Sequence, residues 1–237
     1  MLNKENVLFG IVGLLAGLII GFMFANSVNQ GSQAALAPAS SAVVPGAEGL
    51  PAGHPPTTGG NGGTAPEIQA AIETARAQPD NYEAQIKAAE LFYQIQRFEG
   101  AIEFIERASK IKPDDYTTIV NLGNAYFDST KYDEAEKTYT AALAMRPDDA
   151  DVRTDLGLTF VFRAQPDYDR AIKEFRTALE KDPKHVLALQ NMIVAYTKKG
   201  DTARATEALA NLESVDPKNS SIGKLREDIA KSNQPQL

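Results

Sequence analysis

The side chains that carry most enzymatic chemistry are sparse in this chain. Cysteine is absent, and the two histidines, His54 and His185, fall far apart. Thiolate nucleophiles, disulfides and thiolate metal sites are therefore excluded. His54 stands beside Pro55 and Pro56 with no second ligand near it, and reads as a solvated histidine. His185 follows Pro183 in a turn and reads as exposed and without a role. The run Gly59–Gly63, GGNGG, lacks both the preceding strand and the following Lys-Ser/Thr that a phosphate cradle needs. Carboxylates are abundant, 31 Asp+Glu against 24 Lys+Arg for a net charge of −7, but they are scattered and meet no histidine. That balance also argues against binding nucleic-acid backbones, which requires a basic footprint. The expectation is a protein that binds other proteins, is not an enzyme, and takes no cofactor or metal.

The elements that would position such a binding surface announce themselves by period. Pro79, Pro113, Pro147, Pro183 and Pro217 are separated by 34, 34, 36 and 34 residues. Ala101, Ala135, Ala171 and Ala205 keep the same beat, twelve residues ahead of the last four prolines. An interval near 34 marks a stack of helix–turn–helix units that bury their apolar faces only against one another. In the unit from Tyr116 to Asp149, Ile119, Leu122, Gly123 and Tyr126 share one helical face. A turn over Ser129–Asp133 leads to a second helix carrying Ala135, Tyr139, Ala142 and Leu143, and Pro147 stops it.

These residues resemble the tetratricopeptide repeat family. Its order of large residue, Leu-Gly, aromatic, Ala, aromatic, Ala and Pro is met by Ile119, Leu122-Gly123, Tyr126, Ala135, Tyr139, Ala142 and Pro147. The preceding unit offers Gln85, Ala88-Ala89, Phe92, Ala101, Ile105, Ala108 and Pro113. The third offers Arg153, Leu156-Gly157, Phe160, Ala171, Phe175, Ala178 and Pro183, and the fourth is a weaker match ending at Pro217. The third unit has two extra residues between its helices, with Pro166 in a small bulge. Residues 66–81 form an amphipathic lead-in, with Ile68 and Ile72 on one side, and residues 220–237 a closing helix and tail. The repeats then occupy residues 82–115, 116–149, 150–185 and 186–219. The resemblance implies an all-α, right-handed superhelical solenoid of four units with a capping helix at each end.

It also implies a concave groove lined by the first helix of each unit. Carried over by position, the lining is Glu83, Ile86, Glu90, Tyr93, Val120, Asn121, Asn124, Phe127, Asp128, Asp151, Asp155, Leu158, Phe162 and Asn191. Family members that clamp a C-terminal carboxylate need Lys or Asn at places where this chain has Ile86, Glu90, Asn121, Asp151 and Asp155. Only Asn121 fits, so that specificity is not expected. The implied partner is an apolar segment with some positive charge.

Ahead of the repeats the chain changes character twice. Val7 to Ala25 is free of charge and, as a helix, about 28 Å long, close to the thickness of a bilayer core. It reads as an uncleaved transmembrane helix at residues 7–25, behind a cytoplasmic end at residues 1–6. Lys4 precedes it and the next basic residue is Arg76, which places the repeats across the membrane. Gly13, Gly17 and Gly21 share a face on which two such helices could pair into a homodimer. Residues 26–65, rich in Ala, Gly, Pro and Ser, read as a disordered tether. The whole suggests an inner-membrane scaffold with periplasmic repeats, serving bacterial envelope assembly. The alternatives are a periplasmic chaperone of cytochrome c biogenesis and a cytosol-facing receptor for targeting segments.

Overall fold

The computed structural model describes residues 65–233, and among these all regular structure is helical. The helices are α1 (Ala65–Ala77), α2 (Tyr82–Gln94), α3 (Phe98–Ile111), α4 (Tyr116–Asp128) and α5 (Tyr132–Met145). They continue with α6 (Ala150–Phe162), α7 (Tyr168–Lys181), α8 (Val186–Lys199), α9 (Thr202–Val215) and α10 (Ile222–Ser232). The transmembrane segment, the three aligned glycines and the tether up to residue 64, all expected from the sequence, lie outside the described residues, whereas Ala65, the last residue assigned to the tether, opens α1. Among the described residues, no helix is long and apolar enough to cross a membrane.

Local chemistry sets the helix ends. Asn81, Asp115, Asp149 and His185 each accept, through the side chain, the backbone N–H three residues on, and so cap α2, α4, α6 and α8. Each periodic proline sits two residues beyond the end of a helix, α1, α3, α5, α7 or α9. The residue before Pro113, Pro147, Pro183 and Pro217 leaves helical geometry, with ψ between 80° and 95°.

The turn inside each unit reuses one device. The carbonyls of Phe92, Tyr126 and Tyr196 accept from the N–H groups of Arg97, Lys131 and Asp201 at 2.8–2.9 Å. In the third unit the equivalent carbonyl, Phe160, accepts from Asp167 at 2.8 Å. The two inserted residues therefore bulge outside a preserved closure. Units one, two and four turn through a left-handed residue: Gln96 (φ 57°), Thr130 (φ 62°) and Gly200 (φ 82°).

Packing within a unit depends on a missing side chain. A Cβ on Gly123 would come within 2.6 Å of the Tyr139 ring, and one on Gly157 within 2.4 Å of the Phe175 ring. In the first unit, where Ala88-Ala89 replaces Leu-Gly, the close approach moves to the second helix: a Cβ on Gly100 would come within 2.4 Å of the Phe92 ring. The buried residues form two clusters that meet at α4, one running from α1 to α4 and one from α4 through α10. Tyr126 packs against both and donates its hydroxyl to Glu106 at 2.6 Å.

Candidate functional site

The first helix of each unit carries the expected binding face. Its outer positions are open: Glu83, Glu90, Asp151 and Phe162 are exposed, and Ile86, Val120, Asn121 and Asp128 are half-buried. Six further positions, Tyr93, Asn124, Phe127, Asp155, Leu158 and Asn191, are buried. Asn124 and Asp155 are fully covered, so neither contributes surface to a partner. The reason is helix–helix contact: Asn124 accepts from the hydroxyl of Tyr139, which is itself fully buried, at 2.7 Å. Reading the face position by position, as the resemblance suggested, overstates the surface the stack leaves open.

Several carboxylates on this face are engaged inside the stack. Glu83 pairs with Lys112 at 3.5 Å, and that ammonium also sits 3.7 Å from the centre of the Tyr82 ring. Tyr93 donates to Asp128 of the next unit. Burial, reinforced by Asp128, pushes the Tyr93 phenol far above the usual tyrosine range. Asp151 pairs with His185 at 2.7 Å. A basic partner has to compete with these internal contacts.

Sequence reasoning missed the staples formed by the first helices, in units one to three by the residue at or next to the helix start. Tyr82 donates to Asp115 at 3.2 Å, and Tyr116 to Asp149 at 2.6 Å. Each phenol thus ties one unit to the cap of the next. Where Ala150 breaks the series, Asp151 reaches His185 instead, and in the fourth unit Gln190 donates to Asn219 and Ser221. His185 is therefore neither exposed nor idle: its side chain is 10 % exposed and does two jobs. Its Nδ1 accepts from the Ala188 N–H at 3.0 Å, which leaves the ring proton on Nε2 to donate to Asp151. The signal was available in its spacing, since His185 occupies the capping place of Asp115 and Asp149.

Gln85 was another unread clue. It stands where the family prefers a large residue, yet is fully buried, and its amide donates to the carbonyls of Ala75 (2.7 Å) and Gln78 (3.0 Å). The Ala75 carbonyl lies in the last turn of the lead-in helix, where Pro79 offers it no N–H, and the Gln78 carbonyl also accepts from Asn81, so a polar residue at 85 serves both.

One open feature remains on the first-helix face. Phe162, at the end of α6, is 49 % exposed, while most other large apolar side chains are covered. It meets the ring of Phe127 edge-on at 5.7 Å and stacks over Tyr132 at 6.5 Å. Three aromatic rings from two units thus form a firm apolar ledge. Among the described residues, no three metal-ligating side chains converge.

Comparison with known proteins agrees with this architecture. Tetratricopeptide repeat models match residues 65–116 and 120–185, and a second such model matches 162–229. No curated protein matches. Among solved structures, MamA aligns with a TM-score of 0.57 at 22 % identity, covering 72 % of this chain and 86 % of that one. The MamA protein of Desulfovibrio magneticus RS-1 aligns at 0.58 and 19 % identity, over 65 % of this chain and 86 % of the other. YrrB, described as a repeat protein with an unusual peptide-binding site, aligns at 0.56 and 17 % identity, over 71 % and 94 %. At these identities the likeness establishes the fold.

Proposed function

Because this chain belongs to the tetratricopeptide repeat family, we propose that it is a membrane-anchored scaffold whose first-helix face binds segments of partner proteins. The observation that carries the reading is the aromatic ledge of Phe162, Phe127 and Tyr132, a half-open apolar surface on the face where the family binds. Apolar area left in water is what an incoming Leu or Phe would cover, at roughly 25 cal/mol per Å² removed from water. Glu90, exposed on α2, supplies negative charge on the same set of first helices. The partner segment is accordingly apolar with a basic flank. A peptide-binding relative of the same fold, YrrB, supports the mode of action without naming the ligand.

The anchor in this proposal is the uncharged run Val7–Ala25, and the tether after it gives the repeats reach from the bilayer. Lys4 ahead of the run favours repeats on the far side of the cytoplasmic membrane, where envelope assembly takes place. The test is co-purification after crosslinking in native membranes, comparing wild type with a Glu90→Lys, Phe162→Ala variant. Both positions are exposed, so the variant should fold. Loss of specific partners supports the reading, and an unchanged set of partners refutes it.

A further inference from the structure

A second cleft lies away from the aromatic ledge, between α7 and the last repeat, with a volume of about 440 Å³. Its wall on α7 runs from Asp169 to Glu180, about 16 Å along the helix axis. Lys173 and Arg176 stand on that wall, and Lys199 and Arg204 face them from α8 and α9. Four cations against two acids make this a basic pocket in a chain whose net charge is −7.

The pairing inside it is uneven. Asp169 is engaged by Lys199, and Arg204 by Asp201 at 2.8 Å, a residue outside the cleft. Elsewhere on α7, Arg170 binds Glu136 and Lys181 binds Asp148. Among the described residues, neither Lys173 nor Arg176 has a carboxylate at ion-pairing distance. Separated by three residues, they lie on one face of α7, a turn apart. Beneath them Ile172 and Tyr196, both buried, give the cleft an apolar floor.

We propose that this cleft binds an acidic peptide segment, with Lys173 and Arg176 taking two of its carboxylates. The length of the wall suits an extended stretch of about five residues. Arg176 offers a forked, bidentate partner for one carboxylate, and Lys173 a mobile point charge for the next. The apolar floor favours a chain with side chains over a bare anion. This site is independent of the aromatic ledge: it shares no residue with it, is basic rather than apolar, and is built on α7, α8 and α9, so the protein would hold two different segments at once.

The experiment uses the full-length chain in detergent and a fluorescent peptide of about eight glutamates, read by anisotropy at low salt. The comparison is with Lys173→Glu, Arg176→Glu and with a control, Lys110→Glu, Lys137→Glu, which removes two exposed cations elsewhere. All four positions are exposed, and circular dichroism checks folding. Expected are saturable binding by wild type and by the control, and at least about tenfold weaker binding by the cleft variant. Equal weakening of both variants, or no saturable binding, overturns the proposal. Displacement of the peptide by inorganic phosphate at equal concentration would also overturn it, because the site would then read charge alone.

Discussion

At Gly157 a methyl group would have to share space with the ring of Phe175, which is itself fully buried. Alanine ordinarily favours a helix by up to about 1 kcal/mol over glycine. Here the clash outweighs that gain, and Gly157→Ala should lower stability by about 1–3 kcal/mol in denaturant unfolding. Gly223, with open space around its Cβ position, is the control: Gly223→Ala should be neutral or stabilising. Thr130 makes the converse case. It is β-branched, exposed and left-handed at φ 62°, a conformation that Asn and Gly tolerate far better. Thr130→Asn should raise stability by about 0.5–1 kcal/mol, seen as a higher unfolding midpoint with an unchanged slope. The close-packing role of Gly123 and Gly157 could be read from their place in the repeat. Thr130 and Gln96 could not, because neither type advertises a positive φ.

Between elements, the caps and staples couple the stability of the stack to pH. The Thr118 hydroxyl and backbone N–H, opposed by some burial and joined by Tyr82, hold the Asp115 carboxyl below the usual carboxylate range. A carboxyl depressed in the folded state stabilises it above the ordinary value of about 4, and that stability is lost as pH falls through the folded pKa. Between about pH 6 and pH 3, the thermal midpoint should therefore fall less steeply in Asp115→Asn, whose amide oxygen caps at any pH. At the alkaline end the sign reverses. Burial above all raises the phenols of Tyr139, Tyr93 and Tyr116, each helped by neighbouring carboxylates. Their folded-state contribution is complete below about pH 10 and disappears above it. Tyrosinate absorbance should then appear in one cooperative step together with loss of helix, rather than as a gradual titration. Helix order, the periodic stops and the closing helix were all visible in the prolines and alanines, because those residues act locally. The staples were not, since they join residues 29 to 34 apart and depend on which side chain happens to reach. For the same reason, the expected binding face proved narrower than its sequence positions implied. Family spacing says which helix face a residue occupies, whereas burial of Asn124, Asp155 and Leu158 depends on how closely the next helix lies.

As a whole molecule, the chain combines a repeat stack with a leading segment that the account takes as its anchor. If Val7–Ala25 spans the bilayer, the protein should stay in membranes washed at alkaline pH, and deleting residues 7–25 should release folded repeats. Extraction of the intact chain by the wash would refute the anchor while leaving the repeats untouched. The central claim concerns the aromatic ledge around Phe162 at the end of α6. Its most direct measurement places a photocrosslinking amino acid at Phe162 in living cells, with Ala210, exposed on α9, as the reference position. The account predicts discrete crosslinked partners from position 162, suppressed by Glu90→Lys, and few from position 210. Equal crosslinking from both positions, or none from position 162, would contradict it.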